Sequence, residues 1–289
     1  VPMLPLRVTG LLDPDTAFAI GLTLGLVAVA ATTAAAAAIG LLATGRRSVG
    51  LLAAGLWALW PFVPGLVVGE RAWQNGQWNV DVGLHLYTEP LSTALVAIAV
   101  ALLLSRPLAP GVAAAAGVLS GLATLVKLSN GLIAVALCVL ASVRYGWRRA
   151  SVYAVGAVVA APMIVAYWPK GYVGQFDGEI AAVDRPFSLH FAWRSWRDSL
   201  IFTPTMLAVL LPFAALGLLA VRGWFARGVL LAPIVLTAAL YSTYYVTALH
   251  PRFLYVALPP LLALEAAGAV WLLERLRAVG RRRASPARA

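Results

Sequence analysis

The chain has 289 residues, of which 62% are hydrophobic and only 11% are charged, and its mean hydropathy is +0.87. A soluble domain is about one quarter charged, so this composition excludes a water-soluble globule and indicates a membrane protein whose solvent is the lipid bilayer. The net charge of +11 does not indicate a nucleic-acid partner, because the arginines stand in short clusters between long apolar runs.

A membrane-spanning helix needs about 20 largely apolar residues. Suitable runs are 18–44, 49–68, 86–104, 152–168, 200–221, 229–247 and 253–273. A further apolar stretch, 111–143, is interrupted by Lys127 and by the turn-forming pair Asn130-Gly131. One long tilted helix would bury Lys127 near the bilayer centre at considerable cost, whereas two helices joined by a turn at Lys127 avoid that cost. The hairpin interpretation predicts an all-α, polytopic transmembrane bundle of about nine spans.

The loops between these spans differ in charge. One set is almost purely basic and comprises Arg46, Arg47, Arg106, Arg144, Arg148, Arg149, Arg222, Arg227 and the arginines of 274–289. The other set mixes both signs and includes outer loops at about 70–86 and 170–199. By the positive-inside rule the basic set is cytoplasmic, which places the N-terminus outside and the C-terminus inside. We therefore predict a multi-pass plasma (inner) membrane domain over 1–273, followed by a basic cytoplasmic tail over 274–289.

Nearly all acidic residues fall on the predicted outer side, which favours a site there. Asp81, His85 and Glu89 are spaced i, i+4 and i+8, so they share one face of a helix that enters the third span. His85 with Glu89 is a candidate pair for a divalent metal or for orienting a sugar hydroxyl. The alternative is a solvated helix end, although a Glu at the start of an apolar span is costly unless it is paired or used.

Two basic residues at predicted outer helix ends are candidates for binding a phosphate. Lys127 would lie at the depth of lipid phosphates and is a suitable point charge, with a snorkelling lysine as the alternative. Arg252, at the outer start of the last span, can grip a phosphate with two hydrogen bonds, with an ordinary flanking arginine as the alternative. The segment 186–200 alternates apolar and charged residues in a way typical of a helix lying on the membrane surface.

Three short motifs follow one another along the chain. Leu-Tyr-Thr-Glu-Pro-Leu at 86–91 opens a span, and Gly-Val-Leu-Ser-Gly-Leu-Ala-Thr-Leu-Val-Lys stands at 117–127. His-Pro-Arg-Phe-Leu at 250–254 precedes a Pro-Pro pair in the last span. In order and spacing they resemble the GT-C superfamily of membrane glycosyltransferases, and the branch they look most like contains the protein O-mannosyltransferases and the lipid A aminoarabinose transferases. The resemblance covers roughly 2–273.

The resemblance implies an enzyme that moves a sugar from a polyprenyl-phosphate donor to an unidentified acceptor on the outer face of the membrane. It implies that Glu89 and Lys127 border the active-site cavity and that Arg252 contacts the lipid phosphate. A carboxylate base would activate the acceptor hydroxyl, and phosphate would be the leaving group. Whether a divalent metal takes part is left open.

The chain departs from the family pattern near its start. In the family the catalytic acidic residue lies in the first outer loop, just after a first transmembrane helix, whereas 1–16 here already corresponds to the end of that loop. Two interpretations follow: either the first helix and the catalytic loop are missing and this chain is an incomplete and inactive form, or it is an unusual or inactive member of the family. Asp13 and Asp15 are the only carboxylates left there, and neither matches the family's acidic motif.

Two other classes of protein stay open. A transporter or flippase for a lipid-linked sugar requires charged residues along a path through the bundle, and Glu265 is the main ionisable residue inside a predicted span. A non-catalytic membrane scaffold is compatible with a missing catalytic loop.

Overall fold

A computed structural model describes residues 14–59, 88–105, 107–159, 161–162, 187–195, 205–244 and 251–284. Over these ranges the chain is helical, without a strand. The helices are α1 (Pro14–Thr44), α2 (Arg47–Leu59), α3 (Thr88–Leu104), α4 (Pro110–Val126), α5 (Asn130–Tyr145), α6 (Trp147–Val158), α7 (Leu189–Ser195), α8 (Thr205–Ala220), α9 (Trp224–Ser242) and α10 (Leu258–Ala284), with a 3-10 helix (Pro251–Ala257) before α10. The all-α class predicted from the sequence is therefore confirmed for this part of the chain.

Each helix except α7 overlaps one predicted span, and α4 and α5 are separate helices on either side of Lys127. Three helical stretches are long and apolar enough to cross a membrane: Ala19–Thr44, Trp224–Ser242 and Phe253–Arg281. The remaining apolar helices are shorter within the described ranges, so the count of nine spans and their orientation stay predictions. The three long helices by themselves indicate a membrane protein.

The outer surface of the bundle is apolar, as α5 illustrates. Leu132, Val135, Val139 and Val143 recur at helical spacing on one face and are each more than half exposed. The opposite face carries the buried residues Ile133, Ala134, Leu137 and Ala141. An exposed stripe of this kind would be unfavourable in water, but it is the expected surface of a helix in contact with lipid.

Small residues bring pairs of helices into close contact. On α4, Gly117 and Gly121 lie directly against the backbone carbonyls of Tyr153 and Ala157 on α6. On α8 and α10, Gly217 and Gly268 allow the same close approach. A β-carbon at any of these glycines would overlap main-chain atoms of the facing helix. Because lipid provides little hydrophobic drive for helix association, this backbone-to-backbone packing is a main source of stability in such bundles.

The turns that carry most arginines meet at one end of the bundle, which we call the basic end. The end of α1 accepts a hydrogen bond from the turn before α9, Arg222 N to Ala43 O at 3.3 Å. Arg46, between α1 and α2, forms an ion pair with Glu274 of α10 at 2.7 Å. The Tyr145 ring at the end of α5 contacts the Phe225 ring of α9, with centroids 5.2 Å apart. The predicted basic loops are therefore neighbours in space.

The last helix extends further than its predicted span. The α-helix continues to Ala284, so the first part of the predicted basic tail is helical. Charged residues do not stop a helix, because Arg, Glu, Leu and Ala are all strong helix formers and the side chains from Leu273 to Arg281 are exposed. The end of the apolar run thus indicates the end of the predicted span, whereas local helix propensity determines how far the helix continues.

Candidate functional site

Lys127 stands at the break between α4 and α5. Its backbone is extended, with φ −149° and ψ 108°, while its N–H still donates to Ala123 O at 2.9 Å. The Asn130 side chain donates from Nδ2 to the same carbonyl at 3.1 Å and thereby closes the end of α4. Asn130 N donates in turn to Lys127 O at 2.9 Å. The Ser-Asn-Gly sequence thus forms the tight turn that fixes Lys127 at the end of the bundle opposite the arginines, which we call the Lys127 end.

Glu89 and Lys127 form an ion pair across this end. The distance from Lys127 Nζ to Glu89 Oε1 is 3.2 Å, and only 5% of the Glu89 side chain and 14% of the Lys127 side chain are exposed. Glu89 lies in the first turn of α3, where the positive end of the helix dipole also favours a carboxylate. The carboxylate thus holds the Lys127 ammonium group inside the bundle.

Two aromatic rings enclose the same ammonium group. Lys127 Nζ lies 4.9 Å from the centroid of the Tyr241 ring and 4.5 Å from that of Phe253. The two rings stack on each other with centroids 5.1 Å apart. The Tyr241 hydroxyl is in turn 2.7 Å from Ser129 Oγ. Rings within about 6 Å attract a cation, and more strongly where water is excluded, so the carboxylate and the two rings together hold the Lys127 ammonium group.

A small cavity adjoins Lys127. Its volume is about 10 Å³, which is about the space of one water molecule. Polar groups on its wall come from Lys127, Ser129, Asn130, Thr237 and Tyr241, and the rest of the wall is apolar. A site of this size admits no sugar as it stands. A phosphate could reach Lys127 only if the surrounding side chains moved apart.

The other predicted site residues are described by the structure to different extents. Arg252 belongs to the 3-10 helix next to Phe253, so its backbone is at the Lys127 end, but its side chain lies outside the described part. Asp15 is in the first turn of α1, and its side chain is likewise not described. Asp13 and His85 lie outside the described residues altogether, so the pairing of His85 with Glu89 stays a prediction. Within the described ranges, no three His, Cys, Asp or Glu residues cluster as metal ligands would.

The sequence analysis did not predict that the side chains of Tyr241, Phe253 and Ser129 take part in this site. Phe253 follows Arg252 directly within the third motif, and Ser129 lies in the turn after Lys127. Both positions could have been inferred from their neighbours. Tyr241 gave no such signal, because an aromatic residue near a span end is usually an interfacial anchor. Only the packing of α9 against α5 brings its ring over Lys127.

Glu265 occupies a different environment, within α10. It is 1% exposed, and neither carboxylate oxygen makes a hydrogen bond to any described residue. Burying a charged carboxylate without a partner is very unfavourable. Glu265 is thus a buried ionisable group away from the Glu89–Lys127 pair.

Comparison of the chain with models of protein families, with curated proteins and with solved structures finds no match in any of these sets.

Proposed function

We propose that the protein is a multi-pass membrane glycosyltransferase that uses a polyprenyl-phosphate sugar as donor, and that the Lys127 end holds the donor phosphate. The observation that carries the proposal is the meeting of the three motifs behind the GT-C resemblance. Glu89 from the first motif, Lys127 from the second and Phe253 from the third are in mutual contact through the Lys127 ammonium group. They are far apart in sequence, so their convergence at one end is not a consequence of chain proximity.

In the proposed reaction the acceptor hydroxyl oxygen attacks the anomeric carbon of the donor sugar. The bond between that carbon and the phosphate oxygen breaks, its electrons leave with the polyprenyl phosphate, and the hydroxyl proton passes to a carboxylate base. Lys127 would stabilise the charge that develops on the departing phosphate. Glu89 occupies the position of that anion in the present structure, so donor binding must exchange the carboxylate for phosphate at Lys127 Nζ.

We further propose that the chain crosses the plasma (inner) membrane about nine times, with the basic end in the cytoplasm and the Lys127 end outside. The arrangement of the turns supports this orientation. Described turns at the basic end carry exposed arginines, whereas Glu89 and Lys127 neutralise each other at the opposite end. Single cysteines introduced at Arg47 and Leu189 of a Cys138→Ser background test it. A membrane-impermeant maleimide added to intact cells should label the second position and not the first.

Donor binding is the experiment that tests the proposed function. The purified protein is irradiated with a photoreactive polyprenyl-phosphate sugar, and crosslinking is competed with unlabelled donor. We expect Lys127→Gln to lose most of the crosslink, Lys127→Arg to retain part of it, and the exposed control Arg148→Gln to behave as the parent chain. Equal crosslinking by Lys127→Gln and the parent would contradict the proposed site.

A second candidate function is transport of a lipid-linked sugar, and Glu265 is the observation that favours it. Glu265 makes no hydrogen bond to the described residues, and a buried carboxyl group inside a membrane helix is a common feature of proton relays in transporters. Reconstituted vesicles distinguish the two functions. Movement of the intact donor across the bilayer that Glu265→Gln abolishes would support transport, whereas transfer of the sugar without such movement supports the enzyme.

A further inference from the structure

We propose that a cavity at the basic end binds the headgroup of an anionic phospholipid, with the phosphate on Arg222. The cavity has a volume of about 270 Å³ and lies between the end of α1, the end of α3 and the start of α9. It is therefore far larger than the space beside Lys127 and lies at the other end of the bundle. Its walls include Leu42, Thr44, Leu104, Arg222, Phe225 and Ala226.

Arg222 is the cationic group on this wall. Its side chain is exposed, and it makes no ion pair with any residue in the described ranges, whereas Arg46 nearby is paired with Glu274. Its backbone N–H donates to Ala43 O at 3.3 Å, which fixes the turn against the end of α1. Arg222 is thus held at the cavity with its guanidinium group available. A guanidinium presents several N–H donors in a fixed plane, which matches the oxygens of a phosphate.

Two carbonyl groups in the last turn of α1, those of Leu41 and Ala43, have donors, which reduces the negative potential that this helix end presents to an anion. Gly45 N donates to Leu41 O at 2.7 Å, and the Thr44 hydroxyl donates to Gly40 O at 2.7 Å. Arg222 N satisfies Ala43 O. The described charged side chains at this end are mostly arginines, which favour an anion there.

The apolar part of the wall identifies the occupant as a lipid rather than a soluble phosphate. Leu42 is 41% exposed and Trp224, beside Phe225, is 53% exposed, although arginines stand within a few residues of both. Exposed apolar and aromatic groups next to arginines mark the boundary between lipid tails and headgroups. A phospholipid at that depth can place its phosphate on Arg222 and its glycerol and first methylenes against Leu42, Leu104 and Phe225.

The surrounding charge selects an anionic headgroup over a zwitterionic one. The arginines at this end whose side chains the structure describes are Arg46, Arg47, Arg144, Arg148, Arg149, Arg222, Arg227, Arg275, Arg277 and Arg281, and Glu274 is the acidic residue among them. A choline or ethanolamine cation would be repelled in this field, whereas an anionic headgroup is attracted. Basic pockets between helices at the membrane boundary are known to bind anionic headgroups in this way.

Native mass spectrometry of the purified protein tests the proposal. The probes are phosphatidylglycerol and phosphatidylcholine with the same acyl chains, and glycerol phosphate as the soluble headgroup. We expect phosphatidylglycerol to remain bound under conditions that remove phosphatidylcholine, and glycerol phosphate at the same concentration not to compete. Arg222→Gln should weaken retention about fivefold, the equivalent of about 1 kcal/mol for one arginine near the surface.

Matched variants separate the cavity from general basicity. Arg148→Gln removes one exposed arginine of the same end that does not line the cavity, and it should leave retention unchanged. Ala226→Leu fills part of the cavity and should reduce retention without removing charge, provided that its melting temperature matches the parent's. Equal retention of both lipids, equal losses in Arg222→Gln and Arg148→Gln, or displacement by glycerol phosphate would each overturn the proposal. The cavity is at the opposite end from Lys127, so the result is independent of the proposed function.

Discussion

The Glu89–Lys127 ion pair allows a quantitative prediction, because both charges are largely removed from water. At an effective dielectric constant of about 20, two unit charges 3.2 Å apart attract each other by about 5 kcal/mol. Removing one partner of a buried pair typically costs about 3–5 kcal/mol, since the remaining charge is left buried without its counter-ion. We expect Glu89→Gln to fall near the lower value, because the Tyr241 and Phe253 rings still face the ammonium group.

The assay is a double-mutant cycle on the free energy of unfolding, measured by SDS titration in mixed micelles. Lys127→Met leaves the Glu89 carboxylate buried, and we expect it to cost at least as much as Glu89→Gln. The double variant contains neither charge of this pair and should recover part of the loss. The expected coupling between the two substitutions is about 2–3 kcal/mol.

The exposed ion pair between Arg46 and Glu274 is the control. It is shorter, at 2.7 Å, but 35% of the Arg46 side chain and 49% of the Glu274 side chain are exposed. Solvent screens such a pair, so Glu274→Gln should cost less than about 1 kcal/mol. If the coupling at Glu89 and Lys127 is no larger than about 0.5 kcal/mol, or if Glu274→Gln costs as much as Glu89→Gln, the reasoning from burial is wrong.

Three further predictions concern packing, hydrogen bonding and the second buried carboxyl group. Gly268→Ala places a methyl group against the Phe213 carbonyl and should lower the free energy of unfolding by about 1–3 kcal/mol in the same SDS titration. Gly55→Ala is the control, because no atom lies near its added carbon, and it should be neutral or stabilising. Tyr241→Phe keeps the ring over Lys127 but loses the bond to Ser129, so the free energy of unfolding should fall by about 1 kcal/mol; no change would mean that water replaces the bond. Glu265→Leu removes a buried carboxyl group that has no hydrogen bond to the described residues, so it should raise the thermal melting temperature in detergent. A lower melting temperature would mean that Glu265 has a stabilising partner.

Several features of the fold follow from the sequence because they depend on local chemistry. The break at Lys127 is one of them, since a charge that cannot remain in the bilayer centre coincides with Ser-Asn-Gly turn chemistry. The helix boundaries next to Gly45 and Gly146 are others, because both glycines adopt a positive φ, of 74° and 81°, that ends the preceding helix. The exposed stripe on α5 does not follow from the sequence in this way, because the buried face of the same helix is also apolar.

The arrangement of the site depends on tertiary packing, which local patterns do not encode. Spacing places Glu89 and Lys127 at helix ends on the same predicted side, but it gives neither their distance nor the rings around them. The contact with Tyr241 depends on how α9 packs beside α5 at the Ser129 turn. The apolar run of the last predicted span ends at Leu273, whereas α10 continues to Ala284, because local helix propensity extends the helix beyond the apolar run.

The most direct test of the central claim is sugar transfer in isolated membranes with a radiolabelled polyprenyl-phosphate donor. The chain is assayed as the 289 residues and together with any residues that its gene encodes before Val1. Each form is compared with its Lys127→Gln variant and with the exposed control Arg148→Gln, at matched expression. We expect sugar transfer by at least the longer form, which Lys127→Gln should abolish and Arg148→Gln should leave unchanged. Absence of transfer from a panel of donors, or transfer that Lys127→Gln leaves intact, would contradict it.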